Sequence, residues 1–164
     1  MKFIFIILFS SLAIFSQECK LVEDIKNSRP ILLGISTVEA YQDSNFSWWF
    51  NYSYDKYNVD TNLVSEHKAN VIDKKITIVL GTWCSDSQRE VPRFIKILDF
   101  IGFPKDSLEL INVDRNKEGL ENEVNGLDIE LVPTIIVYDK GEEIGRIIES
   151  PMETLEEDLV EIVK

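Results

Sequence analysis

Between residues 76 and 101 the chain changes its hydrophobic period without a break. Ile76–Leu80 is a short, continuous and partly β-branched apolar run, the pattern of a buried strand. Gly81-Thr82-Trp83-Cys84 follows directly. From about Ser85 to Ile101, Val91, Phe94, Ile95, Leu98 and Ile101 then recur at helical spacing, with Arg89, Glu90, Arg93, Lys96 and Asp99 on the opposite side. A strand that turns straight into a helix belongs to a layered α/β domain. It also puts Cys84 at a helix N-terminus, where unpaired backbone N–H groups and the helix dipole favour a thiolate, the reactive form of cysteine.

The same alternation continues to the C-terminus. Pro92 lies inside the helix and is expected to kink it, and Gly102 and Pro104 end it. Leu108–Val113 has the pattern of the next strand, closed by Asp114, and a short helix is expected over Lys117 to Asn125. Pro133–Tyr138 and Ile144–Glu149 are two strands joined through the hairpin signature Asp139-Lys140-Gly141. Ser150-Pro151-Met152-Glu153 supplies an N-cap, a proline at the first helical position and a glutamate at the third, ahead of a last helix with Met152, Leu155, Leu159 and Ile162 on its apolar side. A βαβ unit followed by ββα predicts a mixed central sheet with helices on both faces.

The beginning of the chain has a different texture. Lys2, the interrupted apolar run Phe3–Phe15 and the small Ser16 form a secretory signal peptide over residues 1–16, too short and too broken for a comfortable membrane span. Residues 17–60 read as an N-terminal extension packing on a domain of residues 61–164. Ile31–Ser36 is a candidate strand and Thr61 to Asn70 looks helical. Eight aromatics crowd residues 41–57, namely Tyr41, Phe46, Trp48, Trp49, Phe50, Tyr52, Tyr54 and Tyr57. They either form a partner surface or fold back and bury their rings. The second is favoured, because eight exposed rings would invite aggregation.

Loss of residues 1–16 removes Lys2 and leaves 16 basic against 29 acidic residues, a net charge of −13. Such a chain is a poor partner for nucleic acid or anionic membranes. Only Cys19 and Cys84 are present, so there is no disulfide framework, and with a single histidine no tetrahedral zinc site is expected. Nothing in the sequence calls for a metal or another cofactor.

Two stretches resemble the thioredoxin superfamily: Lys75 to Phe103 and Leu131 to Leu159. The likeness is strongest in Thr82-Trp83-Cys84-Ser85-Asp86-Ser87, followed by Arg89-Glu90-Val91-Pro92-Arg93-Phe94, and in Val132-Pro133-Thr134. It implies a thioredoxin-like fold with an aromatic-rich N-terminal extension. It also implies a nucleophilic role for Cys84, a substrate groove shaped by Trp83 and by Val132, Pro133 and Thr134, and a cis bond before Pro133. Two features depart from the pattern. Ser87 stands where the resolving cysteine of a Cys-x-x-Cys pair would be, and the buried acid and its basic partner are replaced by Ile78 and Leu110. The resemblance therefore points to an exported monothiol oxidoreductase, in a bacterial periplasm, that acts on disulfides or oxidised thiols of proteins or small molecules through a mixed disulfide at Cys84. The alternative is a non-catalytic module that binds extended polypeptides. Around Cys84, Ser87 either bonds the thiolate or caps the helix backbone. Asp86 either opposes the thiolate or serves the helix dipole. Cys19 is a possible distant resolving thiol.

Overall fold

The computed structural model describes residues 19–164, so the signal peptide expected over residues 1–16 lies outside the described residues. Six strands form one sheet in the order β1-β2-β4-β3-β5-β6. They are β1 (Lys20–Glu23), β2 (Pro30–Ser36), β3 (Lys75–Leu80), β4 (Leu108–Asn112), β5 (Thr134–Asp139) and β6 (Glu142–Ile148). Among the described residues only β3 and β4 are parallel, joined by the long helix α3 (Ser85–Ile101), and the other pairs are antiparallel. The remaining helices are α1 (Ser47–Lys56), α2 (Thr61–Val71) and α4 (Leu155–Val163). Among the described residues no helix is long and apolar enough to cross a membrane.

Residues 20–60 do not rest on a finished sheet. They supply β1 and β2, and Gly34, Ile35 and Ser36 pair with Asn112, Ile111 and Leu110 of β4. A buried polar knot seals that join. Asn112 donates through Nδ2 to Gly34 O at 3.0 Å and to Ser36 Oγ at 2.8 Å, and its Oδ1 accepts from the Tyr41 hydroxyl at 2.9 Å. Each polar atom of the buried amide thus has a partner, which removes the desolvation penalty it would otherwise carry.

The aromatic segment divides by helical face. Tyr41, Phe46, Trp49 and Phe50 are buried, with Tyr41 stacked on Phe50 at 5.4 Å between ring centroids. Burying each such ring contributes roughly 1.5–3 kcal/mol. Trp48 and Tyr52, four residues apart on the outer face of α1, are each 67% exposed. The inner face packs on α3, and the two helices share a hydrogen bond that the sequence makes necessary. Pro92 has no N–H to offer the carbonyl of Gln88, and Ser53 Oγ of α1 donates to that oxygen at 2.9 Å instead. α3 continues unbroken through Pro92 and ends at Gly102, whose φ of 68° is the left-handed conformation of a helix C-terminus.

The expectation of helices on both faces is corrected. Buried residues of all four helices join one core with Ile76, Ile78, Leu80, Leu110, Ile135 and Val137. The core on the opposite face, built on Val79, Ile111, Val113 and Val132, contains no helical residue; Ile35, Val124, Leu127 and Ile129 pack against it. The helix expected over Lys117 to Asn125 does not form, and turns cover this face instead. Local side chains accept from the backbone donors of these turns. Asp114 Oδ1 accepts from the N–H groups of Asn116 and Glu118, and the Glu123 carboxylate accepts from those of Leu120 and Glu121. Lys117 adopts a φ of 65°, outside any right-handed helix.

The start of the last helix is also corrected. The N-cap is Thr154 rather than Ser150. Its Oγ1 accepts from Glu157 N at 3.1 Å, a side-chain N-cap four residues further on. Asp158 accepts from the N–H groups of Met152 and Glu153, holding that segment as a turn and leaving Met152 92% exposed rather than in the core. The hairpin forms at the expected place, with Lys140 and Gly141 at φ of 51° and 89°.

Candidate functional site

The loop from Gly81 to Cys84 joins the end of β3 to the start of α3 and is tied down from three directions. Cys84 N–H donates to Gly81 O at 2.9 Å, closing a turn. Thr82 Oγ1 accepts from Leu32 N of β2 at 3.1 Å, and Thr82 O accepts from Gln88 Nε2 at 2.7 Å. Gly81 is required by a close approach, since a Cβ there would stand 2.6 Å from the Trp83 ring. The result is a rigid shelf that presents Cys84 as the N-cap residue of α3, with its side chain half-buried.

Opposite the shelf is the segment before β5. The Val132–Pro133 peptide is cis. Cys84 Sγ donates to the Val132 carbonyl at 3.1 Å, so the thiol faces this bend directly. Thr134 Oγ1 holds the bend from within by donating to Leu131 O at 2.7 Å, and Pro133 O accepts from Glu149 N of the strand β6 side at 2.7 Å. Cys84, Trp83, Val132, Pro133 and Thr134, more than 45 residues apart in part, are thereby gathered at one end of the sheet.

Ser87 and Asp86, on the first turn of α3, each have a close partner. Ser87 is fully buried and its Oγ accepts from Gly81 N at 3.2 Å. The Asp86 carboxylate pairs with Arg89 one turn along the helix at 2.7 Å. Both cysteines are free thiols, and they sit against different cores: Cys19 against the helical one, Cys84 against the other. Ile78 and Leu110 are buried and pair across β3 and β4. Among the described residues no group of three His, Cys, Asp or Glu side chains could hold a metal.

Two charged residues belong to the site without having been singled out by the sequence. Asp24, after β1, is 1% exposed and accepts from Arg115 at 2.8 Å (Nε to Oδ1) and 2.7 Å (Nη2 to Oδ2). Arg115, after β4, also lies over the Trp83 ring at 4.6 Å from its centroid. The indole Nε1 donates to Val113 O at 2.9 Å. Hydrogen bonds from Arg115 hold the Asp24 carboxyl below the usual carboxylate range, against the opposing effect of burial. A polar cleft of about 290 Å³ opens beside Trp83, lined in part by Trp48, Thr82 and Gln88. The three-residue run Asp114-Arg115-Asn116 carries no mark of this role, because its partner Asp24 is 91 residues away.

No protein-family model matches the chain, and no curated protein matches it. Solved structures do. A Pseudomonas aeruginosa protein of unknown function superposes with a TM-score of 0.58 at 14% identity, over 78% of this chain and 91% of that one. An HIV epitope-scaffold superposes with a TM-score of 0.50 at 16% identity, over 71% of this chain and 73% of that one. At such identities the likeness is one of fold alone. Mitochondrial thioredoxin 3 of Saccharomyces cerevisiae, in its oxidised form, reaches a TM-score of only 0.31 at 20% identity, over 58% of this chain and 86% of that one.

Proposed function

We propose that this protein is a thioredoxin-like monothiol oxidoreductase, exported to a bacterial periplasm, that acts on disulfides or oxidised thiols through Cys84. The observation that carries the reading is the meeting of the Cys84 thiol with the Val132 carbonyl, in the segment before β5, across a 3.1 Å hydrogen bond. The order β3–α3–β4 followed by the β5–β6 hairpin supports a thioredoxin-like assignment. The replacement of helix 117–125 by turns is a departure from it.

In this mechanism the Cys84 thiolate attacks one sulfur of a substrate disulfide. The new bond joins Sγ to that sulfur, the substrate S–S bond breaks, and the other substrate sulfur leaves as a thiolate that takes a proton from solvent. A second thiol, from the substrate or a small-molecule thiol, ionises and attacks the mixed disulfide. It forms a new disulfide and returns Cys84 as a thiolate. The protein gains and loses no electrons over the cycle. Trp83 and the Val132-Pro133-Thr134 bend would flank the substrate chain.

A second reading, a non-catalytic module for extended polypeptides, draws on Trp48 and Tyr52, exposed four residues apart on α1. The deciding experiment is turnover of a peptide–glutathione mixed disulfide in the presence of glutathione, using the protein lacking residues 1–16. The oxidoreductase reading expects catalysis by the wild type and none by Cys84→Ala. Equal rates for the two would transfer the assignment to the binding module.

A further inference from the structure

The β1–β2 turn, the start of α1 and the Cys84 shelf border the polar cleft of about 290 Å³, near the lower end of the volumes that take small molecules. Its walls are fixed before any ligand arrives. On the turn, Asp24 N–H donates to Arg29 O and Ser28 N–H to Asp24 O, both at 2.8 Å, and Ser28 holds a φ of 55°. On the α1 side, Asp43 Oδ1 accepts from Asn45 N at 2.8 Å and from Asn45 Nδ2 at 2.7 Å, and Asn45 O accepts from the Trp48 indole at 3.2 Å. On the shelf, the Gln88 side chain reaches Thr82 O, while its backbone N–H donates to Cys84 O at 3.0 Å. A cleft held on three sides loses little further freedom when it is filled.

The cleft has one charge to spare. The chain has five arginines, and Arg89, Arg93, Arg115 and Arg146 each pair with a carboxylate. Arg29 lines the cleft, and among the described residues its guanidinium pairs with none. Asp24 is the one acid in the lining, and both of its oxygens are taken by Arg115. The other lining side chains are neutral, so the cleft keeps a positive charge on a strongly acidic chain. A free guanidinium fork recognises a carboxylate through two parallel N–H···O bonds. Beside it the Trp48 ring, two-thirds exposed, offers a flat apolar face, and the amides of Asn27 and Gln88 match the donors and acceptors of a peptide backbone.

We infer that this cleft binds the carboxylate-bearing end of a short cysteine peptide, with Arg29 holding the carboxylate and Trp48 covering the chain. Naming that peptide as a substrate rests on the reading of Cys84 as a nucleophile; binding at the cleft does not depend on it.

The test is a titration of the isotope-labelled protein lacking residues 1–16, followed by NMR at the indole N–H signals of Trp48 and Trp83. The probe is an acetylated glycine–S-methylcysteine–glycine peptide, which cannot exchange disulfides, made once with a free C-terminal carboxylate and once as the C-terminal amide. The acid should shift both signals, and the amide should bind about three- to tenfold more weakly, the effect of one charge-assisted pair at an exposed site. Arg29→Gln should weaken the acid by the same factor and leave the amide unchanged. Arg29 is exposed, and the turn that carries it is held through its backbone, so the variant keeps the fold. Equal affinities for acid and amide in the wild type would overturn the inference, as would an unchanged affinity for the acid in Arg29→Gln. So would the absence of any shift at either indole with the acid at about 20 mM. Failure of the wild type to turn over mixed disulfides, with these affinities intact, would overturn the proposed function and leave the cleft assignment standing.

Discussion

The Cys84 thiol donates to the Val132 carbonyl at 3.1 Å, across 48 residues of sequence. This contact joins the shelf at the start of α3 to the bend before β5 but buries little, since Cys84 is only half-buried. Cys84→Ala should therefore cost about 1 kcal/mol of stability or less, the scale of one weak hydrogen bond. It should nevertheless remove all disulfide exchange. Urea unfolding and turnover of a mixed disulfide, measured on one preparation, check both halves.

Ser87 should matter for stability. Its hydroxyl is the acceptor for the buried Gly81 N–H at 3.2 Å, and Ser87→Ala leaves that donor without a partner. The expected loss is roughly 1–3 kcal/mol in urea unfolding. An unchanged midpoint would show that Gly81 N–H finds another acceptor and that the shelf is softer than its hydrogen bonds imply.

The adjacent tryptophans of α1 offer a contrast within one helix. Trp49 is 4% exposed and packs between Tyr41, Phe46 and Phe50, whereas Trp48 is 67% exposed. Trp49→Ala should cost about 3–5 kcal/mol. Trp48→Ala should stay within about 0.5 kcal/mol. Thermal unfolding of the two variants is sufficient, and a comparable loss in both would mean that Trp48 is covered in solution.

Stability should have an acid limb that traces to Asp24. Its folded carboxyl is held below the usual range by Arg115, so it binds its proton less readily folded than unfolded. The stabilisation is complete above the unfolded value, about 3.9, and is lost as pH falls through that value and then the lower folded one. Asp24→Asn should be less stable at neutral pH and should lose this part of the acid dependence. Indole emission against pH, in urea near the midpoint, reports it. An acid limb of the same depth in Asp24→Asn would assign it to other carboxylates.

Much of the α/β framework was readable from local pattern. The β3–α3 junction, the strands β2, β4, β5 and β6, helix α2 and the Lys140-Gly141 hairpin turn all declare themselves through hydrophobic period, punctuating glycines and prolines, or both. Those signals are local because the apolar side chains concerned serve one buried face each. The turns over 113–132 and the shifted N-cap were not readable in the same way. There, carboxylates such as Asp114, Glu123 and Asp158 hold nearby backbone N–H groups in turns, a choice that depends on what the segment must cover.

By itself the sequence determined that Cys84 would begin a helix after a buried strand, with no second thiol at Ser87, because strand and helix periods are written in neighbouring residues. Only the tertiary structure decided what surrounds that sulfur. It turned Ser87 toward Gly81 and Asp86 toward Arg89, set Val132 opposite the thiol, and brought Arg115 onto both Asp24 and the Trp83 ring. The physical reason is that hydrogen bonds and ion pairs act over a few ångströms of space. Residues 91 positions apart leave no trace of such a pairing in either local pattern.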